Sequence, residues 1–303
     1  MNATSTGTRN DGPADELAPV VGAHGPFPTG DGRPRDGTSG TTPALELRGV
    51  SFAYEDPRDR ASSRDALRDI SLTVGEGESV ALVGANGTGK STLLRIVGGL
   101  LRPATGRVLI GGEPADGPDG RVGLVFQEPR LLPWRSTVDN VAFPLELAGR
   151  PDERRRERAR ELLAIVGLDG VDDARPHELS GGMRQRAAIA RALSAEPRLL
   201  LLDEPFSALD ALTRERFDLA LMTEWRRPGM TVVVVTHSIA EAILVADRIV
   251  VLRGTPGSVV GEIDVPLGRP RSLDALETSE AATVTTRVRA LLAEDLEQAG
   301  AAT

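Results

Sequence analysis

The chain has 303 residues, enough for one large domain or two small ones with a proper core. Hydrophobic content of 40% and charged content of 26% are ordinary for a folded protein, and a formal net charge of −8 argues against a nucleic-acid partner. Cysteine is absent, which excludes disulfides and thiolate metal sites, and no apolar run approaches the roughly 18–20 residues that span a bilayer.

Residues 1–43 are rich in Gly, Thr, Asp, Pro and Ala without periodicity. Such a segment cannot bury enough apolar surface to offset its ordering entropy, so a disordered tail is expected. No basic region followed by an apolar one marks a secretory signal, and the chain is expected to be cytoplasmic. Period-two alternation predicts strands over Ala44–Tyr54 and, after a polar loop, over Leu67–Val74. Ser79–Val83 is an apolar strand that runs into Gly84-Ala85-Asn86-Gly87-Thr88-Gly89-Lys90-Ser91, and a helical pattern follows over Lys90–Val97. Further strands are expected at Gly106–Gly111 and Arg121–Gln127.

The character then changes. Pro129 and Pro133 flank a loop, 138–147 has mixed apolar character, and a helix is expected over 151–168 with Pro151 in its first turn. Its run Arg154-Arg155-Arg156-Glu157-Arg158 is interleaved with Asp152, Glu153 and Glu161 at helical spacing, which reads as a solvated, ion-paired face. Residues of about 128–180 therefore form a helical insert. Beyond it come a helix over Met183–Leu193, a strand over Arg198–Asp203, a helix over about 211–225 and a strand over Thr231–His237. A helix at 240–246, strands at Arg248–Leu252 and Gly257–Val265, and a helix over about 284–298 complete the chain. Near-continuous Val and Leu runs alternating with helices predict an α/β fold with a mostly parallel sheet covered on both faces.

The G-x-x-x-x-G-K-[ST] pattern at 84–91 sits between a strand and a helix, the context in which it binds phosphate. Its glycines let successive N–H groups converge on an anion at a helix N-terminus. Lys90 brings a point charge to the β- and γ-phosphates, and Ser91 offers its hydroxyl to magnesium. Among 36 Lys and Arg, Lys90 is the only lysine, so the one ammonium stands where a guanidinium fork is no substitute. Asp203 and Glu204 end a buried strand, where open α/β sheets bind ligands. Asp203 is assigned to magnesium through water and Glu204 to polarising the attacking water. Leu179-Ser180-Gly181-Gly182-Met183-Arg184-Gln185-Arg186 opens a second helix with a serine and two glycines, a second anion site.

In these motifs the sequence resembles the ATP-binding subunit of an ABC transporter, over about residues 44–270. The resemblance implies a P-loop NTPase core with an antiparallel β subdomain and a helical subdomain at about 128–180, followed by a C-terminal helical extension over 271–303. It implies ATP and Mg²⁺ as cofactors, with ATP bound between two cassettes arranged head to tail. Ser180, Gly181 and Gly182 then meet the γ-phosphate held by Gly84, Asn86, Gly87, Thr88, Gly89, Lys90, Ser91 and Thr92 of the partner. Gln127 matches the glutamine that contacts magnesium, and Asp210, in Ser207-Ala208-Leu209-Asp210, matches the loop that cross-links the two sites. His237 matches the histidine that reaches the γ-phosphate, and Tyr54, the only tyrosine, the aromatic that stacks on adenine. Met183 departs from the commonest form, which has glutamine there, but leaves the phosphate-contacting serine and glycine intact.

Phe126-Gln-Glu-Pro-Arg-Leu-Leu-Pro-Trp134, Thr137–Val141 and Glu262–Arg271 resemble the nitrate, sulfonate and taurine importers. That branch implies an integral membrane permease, which would hold this subunit at the cytoplasmic face, and an extracytoplasmic solute-binding protein. The alternatives at this point are a soluble ABC-type ATPase of DNA repair or translation, and an importer for another solute such as a pyrimidine vitamin precursor. A DNA-repair ATPase would need a long coiled coil between Gln127 and Ser180, and a translation factor a duplicated cassette; the sequence has neither, and the importer for another solute stays open.

Overall fold

The computed structural model describes residues 42–55, 63–207, 230–269 and 271–300, with side chains of the last helix up to Ala293. The expected tail, the helix expected over 211–225 and Asp210 lie outside the described residues.

Six strands form the main sheet, in the order β10-β9-β3-β8-β7-β6. They are β3 (Ser79–Val83), β6 (Val122–Val125), β7 (Leu199–Asp203), β8 (Thr231–Thr236), β9 (Arg248–Arg253) and β10 (Ser258–Asp264). All neighbours are parallel except β10, which runs antiparallel at one edge. Every residue of β3, β7 and β8 is buried, which is why these strands read as unbroken apolar runs rather than alternations.

The pleat sends alternate residues to two different cores. Val80, Leu82, Leu199, Leu201, Val233 and Val235 face a core shared with a four-stranded antiparallel sheet and helix α1 (Lys90–Val97). That second sheet has the order β2-β1-β4-β5, with β1 at Leu45–Glu55, β2 at Ser63–Val74, β4 at Thr105–Ile110 and β5 at Glu113–Pro114. Ala81, Val83, Leu200, Leu202, Val232 and Val234 face the other way, onto helices. These are α2 (Thr137–Leu147), α3 (Asp152–Ile165), α4 (Gly181–Ser194), α5 (Ile239–Val245) and α6 (Ser279–Gly300).

One local reading is sharpened and another corrected. The mixed stretch at 138–147 is a continuous helix, although Pro144 lies inside it. Its start is strongly capped: Ser136 accepts a hydrogen bond from the Asp139 amide, and the fully buried Thr137 hydroxyl donates to Ala174 O at 2.7 Å. Pro151 is the N-cap of α3, not part of its first turn, and the helix ends at Ile165. The basic run on α3 is ion-paired: Arg155 and Arg156 meet Asp152, and Arg158 meets Glu161 at 2.8 Å.

Candidate active site

Three adjacent parallel strands set the site. Because β8, β7 and β6 are neighbours in that order, the residues just past their C-terminal ends come to one edge of the sheet. His237 follows β8, Glu204 follows β7 and Gln127 follows β6. They meet at a single atom: Gln127 Nε2 donates to Glu204 Oε2 at 3.1 Å, and His237 Nδ1 lies 3.4 Å from the same oxygen.

Glu204 is held with φ at +44°, a conformation that costs a non-glycine residue free energy and persists only where surroundings enforce it. The enforcement is visible. Its amide donates to Val235 O at 2.9 Å, and the Ser207 hydroxyl donates to its carbonyl at 2.9 Å. The side chain of His237 is 61% exposed and that of Glu204 only 15%, so the carboxylate sits at the base of the cleft and the imidazole at its lip.

Beside this trio, the loop at 84–91 wraps the start of α1. Gly89 is the helix N-cap in the left-handed region, at φ +85°, and a Cβ there would come within 2.6 Å of Leu67 and 2.7 Å of Ala66 O. Thr88 donates its hydroxyl to Ala85 O at 3.0 Å. Lys90 is buried, and its ammonium donates to Gly84 O at 2.9 Å and Ala85 O at 2.8 Å, which aims its charge across the mouth of the loop. Burial lowers its pKa, while Glu204 and Asp203 act to raise it.

Ser91 Oγ donates to Asp203 Oδ1 at 2.8 Å. The buried Asp203 carboxyl is pushed up by burial and pulled back by that hydrogen bond. A hydroxyl and a carboxylate side by side at a phosphate loop are the hard oxygen donors that Mg²⁺ takes, together with phosphate oxygens and water. The donor set fits magnesium.

Tyr54 lies at the far end of the site, packed edge-on against Phe52 with ring centroids 4.9 Å apart. Its hydroxyl is 3.0 Å from Thr92 Oγ1 on α1, which ties the aromatic rim to the phosphate loop. A cavity of about 850 Å³ joins these parts, lined by Tyr54, the whole of 84–92, Gln127, Glu204 and His237. That volume suits a nucleotide. Ser180, Gly181 and Gly182 are not among its walls; they open α4 elsewhere, with Ser180 and Gly181 exposed and the Ser180 hydroxyl accepting from Met183 N at 3.2 Å.

The model for the family described as ABC transporter matches residues 67–207. A taurine import ATP-binding protein of Pseudomonas fluorescens is 43% identical over 74% of this chain and 83% of its own length. The chain belongs to the ABC transporter family. An uncharacterized ABC transporter ATP-binding protein of Methanocaldococcus jannaschii is 46% identical over 71% of this chain and 80% of its own. Among solved structures, a dimeric ATP-binding cassette in a post-hydrolysis state with ADP and Pi superposes with a TM-score of 0.67 and 35% identity. It matches 74% of this chain and all of its own. This chain is accordingly an ABC ATPase.

Several parts of this ABC cassette site carry no sequence signal. Arg64, Asp65, Arg253, Thr255 and Leu292 line the cavity, brought there from β2, β9 and α6. Gly257, without a Cβ, lies hard against the Thr88 carbonyl, and its backbone pairs with Ala66 and Arg68. Gln185, inside the quoted signature, is fully buried and donates to Phe126 O at 3.4 Å, so the signature helix touches the strand end that carries Gln127. Asn140 explains the resemblance at 137–141: it is buried, accepts from Leu132 N at 2.7 Å and donates to Leu132, Arg135 and Ser136 carbonyls, shaping the loop beyond Gln127.

Proposed function

We propose that two copies of this chain close head to tail on two ATP molecules and that the closure drives import of a small sulfonate such as taurine. Each ATP is cradled by the 84–91 loop of one copy and touched by Ser180–Gly182 of the other. A separate permease holds the pair at the cytoplasmic face of the membrane, and an extracytoplasmic binding protein delivers the solute. The observation that carries the reading is the contrast at the γ-phosphate position. Glu204, Gln127 and His237 converge beside Lys90, whereas the anion-binding corner at Ser180 and Gly181 faces outward. Relatives named for taurine import and a dimeric cassette with ADP and Pi support it.

In this reading Glu204 Oε2 accepts the proton of the attacking water. Gln127 Nε2 and His237 orient that carboxylate and sense the γ-phosphate, and Tyr54 stacks on the adenine. Asp210 links the two sites. Lys90 exchanges its carbonyl partners for phosphate oxygens, and Ser91 and Asp203 hold the metal. Magnesium, when bound, neutralises charge developing on the phosphates. Phosphoryl transfer demands chiefly positioning and charge stabilisation, which is what these groups provide.

In this reading the permease sits beside Gln127. Trp134 is 69% exposed and Leu147 74%, on the loop and helix that Asn140 and Thr137 organise. The test combines two measurements. Glu204→Gln chain should form an ATP-dependent dimer by size-exclusion chromatography, and the reconstituted complex should hydrolyse ATP faster when taurine-loaded binding protein is supplied. A monomer at saturating ATP, in the presence of the permease, would defeat the dimer reading. Stimulation by another solute alone would defeat the sulfonate assignment.

A further inference from the structure

A deeply buried arginine lies far along the chain from every phosphate-binding motif. Arg271 is 3% exposed, and among the described residues its hydrogen bonds all run to backbone carbonyls. Nη1 donates to Ile243 O and Ala246 O, both at 2.5 Å. Nη2 donates to Val265 O at 3.2 Å and Leu267 O at 2.8 Å. Arg269 stands beside it: Nη2 donates to Val245 O at 2.8 Å and pairs with Asp247 Oδ1 at 3.0 Å.

The carbonyls of Ile243, Val245 and Ala246 are the ones that the end of a helix leaves without intrahelical partners. Helix α5 has seven residues and no basic side chain in its last turn. A helix that short does not hold itself, and its own sequence supplies nothing to its C-terminal dipole. Two guanidiniums from a segment more than twenty residues downstream supply both. The clamp is anchored to the phosphate-loop strand as well, because Asp247 accepts from Ser79 N at 2.9 Å and donates its own amide to Ser79 O at 2.7 Å.

At its other end α5 begins two residues after His237. Ser238 caps it by accepting from Glu241 N at 3.3 Å, and Glu241 accepts from the Thr236 hydroxyl at 2.6 Å. His237 is therefore bracketed by Thr236 and Ser238, both tied to the first turn of α5. Its imidazole is mostly exposed, so little of its surface is packed against the chain. Its place opposite Glu204 depends on where α5 sits.

We propose that Arg271, assisted by Arg269, is a positioning residue for His237: the two guanidiniums seize the C-terminal carbonyls of α5 and so hold the helix whose N-terminal end presents that histidine to Glu204. The inference rests on the γ-phosphate role proposed for His237. It also gives a physical purpose to the Arg-Pro-Arg sequence at 269–271.

The test uses the full-length chain with Arg271→Lys, which keeps the charge but loses the fork, and Arg269→Gln, at a more accessible position that leaves the buried guanidinium in place. Steady-state ATP hydrolysis should fall about tenfold in kcat for Arg271→Lys, since small displacements of catalytic groups cost up to roughly 10², with KM for ATP little changed. In the His237→Ala background the same substitution should cost nothing further. Nucleotide-free readouts accompany it. The ring resonance of His237, one of only three histidines, should shift in both arginine variants, and amide exchange over Ile239–Val245 should quicken. An equal fold-loss with and without His237 would mean that Arg271 acts through stability alone and would overturn the proposal. An unmoved His237 resonance in Arg271→Lys, or in Arg269→Gln if the first variant does not fold, would overturn it too. Normal turnover by His237→Ala would instead remove the role assigned to His237, leaving the clamp to be decided by the resonance.

Discussion

At the start of α1 the loop 84–91 is packed from behind by the rest of the chain, whereas at the start of α4 Ser180 and Gly181 stand in solvent. A Cβ at Gly84 would run into the Leu252 carbonyl, and one at Gly89 into Leu67 and Ala66. A Cβ at Gly181 would meet no described atom within 4 Å. Both places are helix starts, where N–H groups and a positive helix end favour an anion. In the first, glycine is demanded by the fold of this copy. In the second, nothing in this copy demands it, which is the pattern expected where the tight approach comes from another molecule.

The comparison can be broken hardest at Glu204. Glu204→Gln keeps the side chain's shape and removes the base, so turnover should fall by roughly 10²–10⁴ while ATP binding survives; single-turnover hydrolysis with a parallel binding isotherm checks both. Lys90→Ala attacks the finished site from the phosphate side. Loss of a charge-assisted contact of about 1.5–3 kcal/mol should weaken ATP binding by roughly ten- to a hundredfold, read by calorimetry. Unchanged affinity would count against the loop as the phosphate cradle.

The two glycines sharpen the contrast. Gly84→Ala should destabilise the single chain by about 1–3 kcal/mol through overpacking, visible in chemical denaturation without nucleotide. Gly181→Ala, at an exposed helical position, should leave stability unchanged or raise it by up to about 1 kcal/mol. Its cost should appear only in ATP-driven dimerisation of the Glu204→Gln background. If Gly181→Ala dimerises normally, the open corner is not the second half of the site. The smallest effect is expected at the rim: Tyr54→Phe keeps the ring but cuts its bond to Thr92, worth about 0.5–1.5 kcal/mol, so KM for ATP should rise a few-fold.

Much of this was legible in the chain because local rules and tertiary context agree there. The runs at 79–83, 199–203 and 231–236 are apolar throughout, and each is a strand buried on both faces. The turn at 84–91 between strand and helix was legible because its glycines mark a backbone that other residues resist, as at Gly89 with φ +85°. The helix at 137–147 was hidden by Pro144 and weak periodicity, and its stability comes from caps and buried contacts that no local window contains. Arg271 was opaque for the opposite reason: an arginine is ordinarily a surface residue, and only the carbonyls around it explain its burial.

By itself, then, the order of residues determined the elements and the chemical kind of each site group, since periodicity and backbone demands act over a few residues. Which groups meet was decided in three dimensions. Glu204, Gln127 and His237 share one oxygen because β7 lies between β6 and β8, and the pairing of parallel strands is a long-range choice made by the two cores that cover the sheet. The reach of Arg271 into the end of α5 is of the same kind, a contact between segments that only folding makes neighbours.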